Sequence, residues 1–235
     1  MGSPRKMIGG SPAACVGIIM DGNRRWAKAR GLQGLKGHTA GLGKAKEITR
    51  HAFSKGVGTV VLYAFSTENW NRSNEEVKYL MKLFDVVFIR ELEKFSKKDI
   101  RVRFIGDLSR LPEKLRISAS KLEKKSLHTG SVKTLVIAIS YGGRAEILAA
   151  LNRLISEGKT EVQEEDMRTA LWTTDIPDPD IIIRTGGEKR LSNFLPWQSI
   201  YSELFFSDSL WPDFTKKEFD SILAEFSLRE RRRGV

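Results

Sequence analysis

The stretch CVGIIMDGNRRW (residues 15–26) joins an apolar run to a charged, glycine-containing sequence without a break. A short run that is apolar at every position is typical of a parallel strand covered on both faces. Residues 16–20 are therefore predicted to form such a strand, with Asp21 directly at its carboxyl end. In open α/β sheets, ligands bind at the carboxyl ends of the strands, so Asp21 and the residues after it are candidates for a site.

Similar apolar runs follow along the chain at 57–65, 100–105, 132–139 and 181–183, and a weaker one at 204–206. Between them, apolar residues recur at helical spacing at 42–53, 77–95, 112–127, 145–155, 164–171 and 216–226. This alternation predicts an α/β fold, a single domain with a mostly parallel open β-sheet flanked by helices. We assign that domain to residues 15–235. Residues 1–14, rich in Gly, Ser, Pro and basic side chains, are predicted to be disordered.

The charge of the chain is strongly asymmetric. Its 235 residues hold 40 Lys and Arg against 29 Asp and Glu, a net charge of +11. Residues 1–60 alone hold eleven basic and two acidic residues. An anionic ligand is therefore expected near the first quarter of the chain.

Other classes of protein are disfavoured by composition. The apolar runs are shorter than the roughly 18 residues that a membrane span needs, and the start of the chain lacks a signal-peptide core. A single cysteine, Cys15, excludes an internal disulfide and a multi-cysteine zinc site. We expect a soluble protein of a reducing compartment, in the cytoplasm.

The loops that follow four predicted strands are rich in Gly, Arg, Asn and Ser, at 21–26, 66–72, 140–144 and 184–193. Glycine lets backbone N–H groups approach an oxyanion, and arginine binds phosphate through two parallel hydrogen bonds. The pattern predicts two phosphate-containing ligands, although the glycine-rich motifs of common nucleotide sites are absent from the sequence. Asp21 is the best candidate carboxylate for Mg²⁺, followed by Glu203 and Glu68, because Mg²⁺ usually takes one or two carboxylates plus substrate phosphates.

Five blocks in and near these loops resemble the signature of the cis-prenyltransferase (isoprenyl transferase) family, and most closely its undecaprenyl diphosphate synthase branch. They are MDGNRRWA (20–27), GH (37–38), YAFSTENW (63–70), RTGGE (184–188) and WPDF (211–214). The resemblance covers roughly residues 15–234 and keeps the family's order.

The resemblance implies an enzyme that condenses isopentenyl diphosphate repeatedly onto an allylic diphosphate such as farnesyl diphosphate. Its product would be a Z-polyprenyl diphosphate, with undecaprenyl diphosphate as the default. The family also implies Mg²⁺ as cofactor, a homodimer and an apolar product tunnel, for which Ala64 is a small residue at the floor. Lys44, Lys46, Arg50 and Lys55 are expected to form a solvated helix face, which suits peripheral contact with an anionic membrane surface. No nucleic-acid partner is expected.

The same resemblance assigns roles to residues. Asp21 would be the essential carboxylate and a metal ligand together with Glu203, and Asn69 would be catalytic. Gly22, Asn23, Arg24, Arg25 and His38 would bind the allylic diphosphate, and Arg184, Arg190 and Ser192 would bind isopentenyl diphosphate. Trp70 and Arg72 would shape the reacting centre, and Trp26, Ser66, Thr67, Glu68 and Leu191 complete the predicted substrate-binding set. Residues 232–234 resemble a motif that reaches the neighbouring subunit's site.

Alternatives remain at this point. Gly34 stands where the family often has a phosphate-binding Arg, which leaves the primer open. A short-chain or other chain-length Z-prenyl diphosphate synthase, a non-catalytic partner subunit of the family and a nucleic-acid-binding module are the rival functions. The presence of Asp21, Asn69 and Arg184 favours an active enzyme.

Overall fold

The computed structural model describes residues 13–85, 89–90, 100–127 and 133–229. Six strands form one sheet in the order β3-β4-β2-β1-β5-β6, and every neighbouring pair is parallel. The strands are β1 (Cys15–Ile19), β2 (Thr59–Ser66), β3 (Ile100–Ile105), β4 (Lys133–Tyr141), β5 (Ile181–Arg184) and β6 (Glu203–Phe206). The predicted parallel open sheet is confirmed.

The helices of the described residues connect and cover these strands. They are α1 (Asn23–Lys28), α2 (Gly34–Ser54), α3 (Asn74–Leu83), α4 (Glu113–Ser126), α5 (Gly143–Ser156), α6 (Glu164–Ala170) and α7 (Lys216–Leu228). Short 3-10 turns lie at Thr67–Asn71, Leu108–Arg110 and Trp211–Asp213.

Helix bounds differ from the predicted ones in two places. Residues 23–26, predicted to lie in a loop, belong to the short helix α1, and α2 begins at Gly34, although its apolar periodicity starts only at Leu42. The first turns of both helices lack a continuous apolar stripe, so hydrophobic spacing could not mark them. Helix α3 begins at Asn74, three residues before its first periodic apolar residue, Val77, and the Ser73 hydroxyl caps it by accepting a hydrogen bond from the Glu76 N–H at 3.3 Å. Residues 86–88 and 91–95 of the predicted helix lie outside the described residues.

The sheet is covered on both faces. On one face, α2, α3, α4 and α7 pack on the strands around buried side chains such as Ile18, Ile48, Leu62 and Phe219. The other face carries a smaller cluster that includes Tyr141, Ile182 and Phe194. Two-sided burial explains why β1 and β5 are apolar at nearly every position.

The domain includes residues just before β1. Ala13 is fully buried, and the Ala14 N–H donates to Asp180 Oδ2 at 2.6 Å. The earlier part of the segment predicted to be disordered, residues 1–12, lies outside the described residues. Cys15 is buried, and this burial, with Asp180 nearby, raises the pKa of its thiol, as expected for a small core residue.

Within the described part of the chain, no helix combines the length and the apolar character needed to cross a bilayer.

Candidate active site

A cavity of about 570 Å³ opens where β1, β2 and β5 end. Its walls carry acidic, basic and amide groups together with a few apolar side chains. They include Asp21, Gly22, Asn23, Arg24, Arg25, His38, Tyr63, Ala64, Ser66, Glu68, Asn69, Arg72, Leu80, Arg184, Ser192 and Asn193. Parallel pairing explains this convergence, because it brings the carboxyl ends of the three strands to the same edge.

Asp21 and Arg184 form the centre of the cavity. Arg184 Nη2 donates to Asp21 Oδ2 at 2.8 Å, and Arg25 Nη2 lies 3.3 Å from Asp21 Oδ1. The Arg184 side chain is 5% exposed, and its Nη1 also donates to Ser192 Oγ at 2.7 Å. The carboxylate is thus held by two guanidinium groups, one of which is buried and fixed from both sides.

Gly22 sets the direction of the chain after Asp21. Its φ of +105° is one that residues with a side chain rarely adopt, and an added Cβ would lie 2.8 Å from Leu210 Cδ2. This turn starts α1 and directs Arg24 and Arg25 to the cavity.

A second basic group surrounds Glu76 on α3. Arg72 Nη1 donates to its carboxylate at 2.7 Å, and Arg24 Nη1 and His38 Nε2 lie 3.4 and 3.6 Å from it. Burial and the nearby Arg72 lower the pKa of His38, so its imidazole is neutral at pH 7. The group carries two cations against one carboxylate and so retains an excess positive charge for an anion.

The end of β2 supplies the polar wall between these two groups. The Ser66 N–H donates to Asn69 Oδ1 at 3.1 Å, which leaves the Asn69 amide N–H groups for other partners. Asn193 Nδ2 donates to Glu68 Oε1 at 2.9 Å. Although desolvation alone would raise the pKa of Glu68, these hydrogen bonds lower it, so the side chain is a carboxylate at neutral pH.

Three buried polar atoms in the wall have no hydrogen-bond partner among the described residues: Asn23 Oδ1, His38 Nε2 and Arg184 Nε. Buried polar groups are nearly always paired, so unpaired ones that line a cavity indicate a polar ligand.

An apolar pocket of about 60 Å³ adjoins the cavity. The two share Met20, Asn23, His38, Ala64 and Leu80, and the pocket continues to Leu42, Leu83, Phe84 and Trp211. The polar cavity therefore borders an apolar space between β2, α2 and α3.

Several predicted site residues do not line the cavity. Trp26 Nε1 donates to Asp213 Oδ1 at 2.7 Å, and Trp70 Nε1 donates to Ser140 Oγ at 3.0 Å. Arg190 pairs with Glu188, while its carbonyl accepts from Arg184 Nη1 at 2.6 Å. Thr67 and Leu191 are likewise absent from the lining.

Glu203 is not brought to Asp21 within this chain. It begins β6 opposite Ile181, the first residue of β5, and so lies toward the amino edge of the sheet, where it pairs with Arg229. Residues 232–234, with the predicted inter-subunit motif, lie outside the described residues.

The cavity also contains residues that the sequence did not identify. The Tyr63 hydroxyl donates to the carbonyls of Tyr141 and Ser192 at 3.2 and 3.3 Å. Tyr63 lies inside an apolar run, so it has an ordinary structural explanation in the sequence. Glu76 has one too, because it lies in the first turn of α3, and it pairs with Arg24 and Arg72 of the wall without lining the cavity itself. Asn193 ends a loop that was recognised, but its left-handed φ of +65° is visible only in the structure.

The donor set limits how a metal ion could be held. Across residues 13–85, 89–90, 100–127 and 133–229, no three His, Cys, Asp or Glu side chains converge as a metal site. Asp21 is a single carboxylate at the cavity centre, which fits Mg²⁺ if substrate phosphate oxygens supply further ligands.

The known proteins that this chain resembles are all prenyl transferases or prenyl diphosphate synthases. Residues 19–234 match the sequence profile of a family described as "Putative undecaprenyl diphosphate synthase". An isoprenyl transferase of Thermotoga maritima is 47% identical over 223 residues, which cover 93% of this chain and 95% of the relative. One from Fusobacterium nucleatum is 47% identical over 219 residues, which cover 93% of this chain and 94% of the relative.

Two crystal structures are similar in both fold and sequence. Lavandulyl diphosphate synthase from Lavandula x intermedia, solved in complex with dimethylallyl diphosphate, has a TM-score of 0.89 and 34% identity over 95% of this chain and 99% of that chain. A probable undecaprenyl diphosphate synthase from Campylobacter jejuni has a TM-score of 0.80 and 37% identity over 96% of this chain and 100% of that chain.

Proposed function

Because the chain belongs to the cis-prenyltransferase (isoprenyl transferase) family, we propose that it condenses isopentenyl diphosphate repeatedly onto an allylic diphosphate. Farnesyl diphosphate is the proposed primer and undecaprenyl diphosphate the proposed product. The observation that carries this proposal is one cavity that borders an apolar pocket and whose wall holds two groups of arginines, Arg24 and Arg25 after β1 and Arg184 at the end of β5.

The two basic groups suit two diphosphates. A diphosphate carries about three negative charges near pH 7, so cationic and N–H donors must offset them. Arg24, Arg25, His38 and Asn23 are proposed to hold the allylic diphosphate, beside the apolar pocket that would take its hydrocarbon. Arg184 and Ser192 are proposed to hold isopentenyl diphosphate.

The reaction breaks the bond between the allylic C1 and the diphosphate oxygen, and the leaving group keeps the electron pair. The isopentenyl double bond forms the new carbon–carbon bond at C1, and a proton is then lost from the isopentenyl C2 to water or diphosphate. The arginines stabilise the negative charge that develops on the leaving group. Mg²⁺, held by Asp21 and substrate phosphates, would add Lewis-acid stabilisation of that group.

Asn69 is proposed to orient the reactants. Its side-chain oxygen is occupied by the Ser66 N–H, so the groups that remain are donors. An amide is also too weak a base to take a proton alone. Asn69 would therefore hold a diphosphate oxygen or the water that accepts the proton.

The apolar pocket is proposed as the start of the product tunnel. Ala64 on β2 and Leu80 on α3 line both the cavity and the pocket, so a chain that grows from the allylic site would enter between them. A small residue at position 64 leaves room at the entrance.

A homodimer is proposed on the basis of the exposed edge of the sheet. Phe205 packs on the α7 face of the sheet, so its neighbours Leu204 and Phe206 face the opposite side, where each is 37% exposed. The nearby Ile200 and Tyr201 are 73% and 71% exposed. An apolar sheet edge of this kind is typical of a surface covered by another chain.

Membrane contact stays a weaker part of the proposal. On α2, Lys44 pairs with Glu47, and Lys55 pairs with Asp220. These two positive charges are therefore partly neutralised. A basic side chain near an anionic membrane surface contributes about 1 kcal/mol to binding, and that contribution would have to come from other basic residues.

The test is incubation of the purified chain with farnesyl diphosphate, labelled isopentenyl diphosphate and Mg²⁺, followed by chromatographic sizing of the product. We expect a long Z-polyprenyl diphosphate. A product of a single condensation would favour a short-chain synthase, and no incorporation of label with any allylic primer would contradict the proposal.

A further inference from the structure

The carboxylate of Glu218, in the first turn of α7, joins that helix to the segment that follows β6. Its Oε2 accepts from the Thr215 N–H at 2.8 Å and from the Thr215 hydroxyl at 2.7 Å, within the helix cap. Its Oε1 accepts from the hydroxyls of Ser207 and Ser209, at 3.2 and 2.5 Å. Although desolvation alone would raise the pKa of Glu218, these hydrogen bonds lower it, so the side chain is a carboxylate at neutral pH. One oxygen therefore serves the helix, and the other holds a segment outside it.

Residues 207–211 lie between the two loops that carry the proposed substrate-binding residues. At the end of β5, the Ser207 N–H donates to the Arg184 carbonyl at 2.8 Å. Two residues further along each segment, the Gly186 N–H donates to the Ser209 carbonyl, also at 2.8 Å. The backbone of the segment is thus bound directly to the loop that begins at Arg184.

The other end of the segment contacts the loop after β1. The Trp211 N–H donates to the Asp21 carbonyl at 2.9 Å. A Cβ on Gly22 would lie 3.0 Å from Leu210 Cα, so the two backbones are in direct contact there. One short segment therefore fixes Asp21 on one side and Arg184 on the other.

The segment needs support from another element because it follows an edge strand. In the sheet that the described residues form, β6 has β5 as its one neighbour. Glu218 supplies support from α7, which is itself anchored by the buried side chains of Phe219 and Phe226. Groups on a helix hold a site more precisely than groups on a loop, and a displacement of about 1 Å can lower a rate about a hundredfold.

We propose that Glu218 is a positioning residue for the condensation. Through its hydrogen bonds with Ser207 and Ser209, it fixes the segment after β6. That segment sets the spacing between Asp21 and Arg184, and so between the two proposed diphosphate sites. The inference rests on the proposed function, which assigns one diphosphate to each of the two loops. Glu218 itself lies outside the residues that line the cavity.

The test measures the single-turnover rate of the first condensation and the KM of each substrate, for wild type and variants. Glu218→Ala should lower that rate about tenfold or more, while each KM changes by less than about threefold, because each loop still binds its own diphosphate. Ser209→Ala removes one hydrogen bond to the segment and leaves the helix cap in place. It should slow the same step about threefold or more.

Glu218→Gln should keep most of the wild-type rate. Serine hydroxyls accept hydrogen bonds as well as donate them, so the amide N–H groups of the introduced side chain can bind them while its oxygen accepts from the Thr215 N–H. Combining Glu218→Ala with Ser209→Ala should give an enzyme no slower than Glu218→Ala alone, because both changes break the same link. Ser209→Ala decides the question if Glu218→Ala does not fold.

Thr215→Ala is the matched control. It removes a hydroxyl that donates to the other oxygen of the same carboxylate, and it leaves the hydrogen bonds from Ser207 and Ser209 intact. It should lower the melting temperature without changing the single-turnover rate or either KM.

Folded Glu218→Ala and Ser209→Ala variants with the rate and KM values of wild type would reduce Glu218 to a helix-cap residue. The same conclusion would follow if Thr215→Ala slowed the reaction as much as Glu218→Ala does. A wild-type chain that makes no prenyl product would overturn the proposed function and this assignment together.

Discussion

Asp21 is the residue on which both proposed diphosphate sites depend, because it binds Arg184 and Arg25 at once. Asp21→Ala should lower turnover by about a thousandfold, while the affinity for isopentenyl diphosphate changes by less than about tenfold. Single-turnover assays and binding of labelled substrate measure the two effects separately.

Asp178→Ala is the control for that substitution, since Asp178 pairs with Arg168 away from the cavity. It should leave turnover unchanged. An Asp21→Ala enzyme with near-normal turnover would exclude the carboxylate from the reaction.

His38 should make stability depend on pH. Its pKa in the folded chain lies below the ordinary value of 6.5, so the unfolded chain binds the proton first as pH falls. Stability is then fully present above pH 6.5 and is lost as pH falls from there through the folded pKa. Urea unfolding between pH 7.5 and about 5 should show a smaller loss for His38→Gln than for wild type.

If wild type and His38→Gln lose the same free energy of unfolding over that pH range, the pKa of His38 is not lowered in the folded state.

At this scale the sequence identifies residues that follow strands and misses those whose role comes from tertiary contacts. Asp21 and Arg184 stand directly after predicted strands and Ser192 lies in the loop that follows Arg184, and the structure brings the three together. Tyr63 lies in an apolar run and looks like a core residue, and only the fold shows that its hydroxyl donates to the Ser192 carbonyl.

Among the elements, α7 offers a test of local stability. Its first turn has a reciprocal cap, in which the Thr215 hydroxyl accepts from the Glu218 N–H at 3.1 Å and the Thr215 N–H donates to Glu218 Oε2 at 2.8 Å. Thr215→Ala should lower the free energy of unfolding by about 1 kcal/mol, measured by urea denaturation.

Ser227→Ala near the end of the same helix is the control, because Ser227 is exposed and its hydroxyl donates to the Ala224 carbonyl one turn earlier in that helix. Its effect should stay within about 0.5 kcal/mol. Equal losses for both variants would mean that the cap contributes nothing specific.

Strand β2 offers a test of product length. Ala64→Leu would fill the space between the cavity and the apolar pocket, so the longest product should contain fewer isoprene units than that of wild type. Chromatographic sizing of labelled products measures this. Ala224→Leu adds the same side chain at an exposed position on α7 and should not change the distribution. An unchanged product from Ala64→Leu would place the tunnel elsewhere.

Elements with strong hydrophobic periodicity were predictable, whereas glycine-rich helix starts were not. β1 and β5 follow from apolar runs, but α1 and the first turns of α2 depend on packing of the two helices against each other. Glu203 does not lie near Asp21, because the parallel register pairs it with Ile181 at the amino end of β5, whereas Asp21 follows the carboxyl end of β1.

For the whole molecule, the uncovered edge at β6 predicts the oligomeric state. Sedimentation of wild type should give twice the chain mass of 26.6 kDa. The double substitution Ile200→Lys and Tyr201→Lys should shift it toward one chain mass, because charge on both copies of an apolar patch opposes its burial. Ile117→Lys, at an exposed position on α4, is the matched control and should leave the mass unchanged. A wild-type chain that sediments as a monomer at all concentrations would contradict the dimer.

The distribution of charge along the sequence indicated the basic residues of the site that follow β1, but it did not indicate the one at the end of β5. Arg24 and Arg25 come from the basic first quarter and line the cavity, whereas Arg184 comes from the nearly neutral remainder. The net charge of a segment shows only where basic residues outnumber acidic ones. A single buried arginine such as Arg184, in a segment with nearly equal numbers of both, does not change that count noticeably.

The position of β1 in the sheet has a consequence for synthesis on the ribosome. Its two partners are β2, some forty residues later, and β5, which begins at Ile181. At typical translation rates, β1 waits roughly ten to thirty seconds for its second neighbour, and Asp21 waits equally long for Arg184. During that time one edge of β1 has unpaired backbone groups that can pair with other nascent chains, and no active site exists until most of the chain has been made.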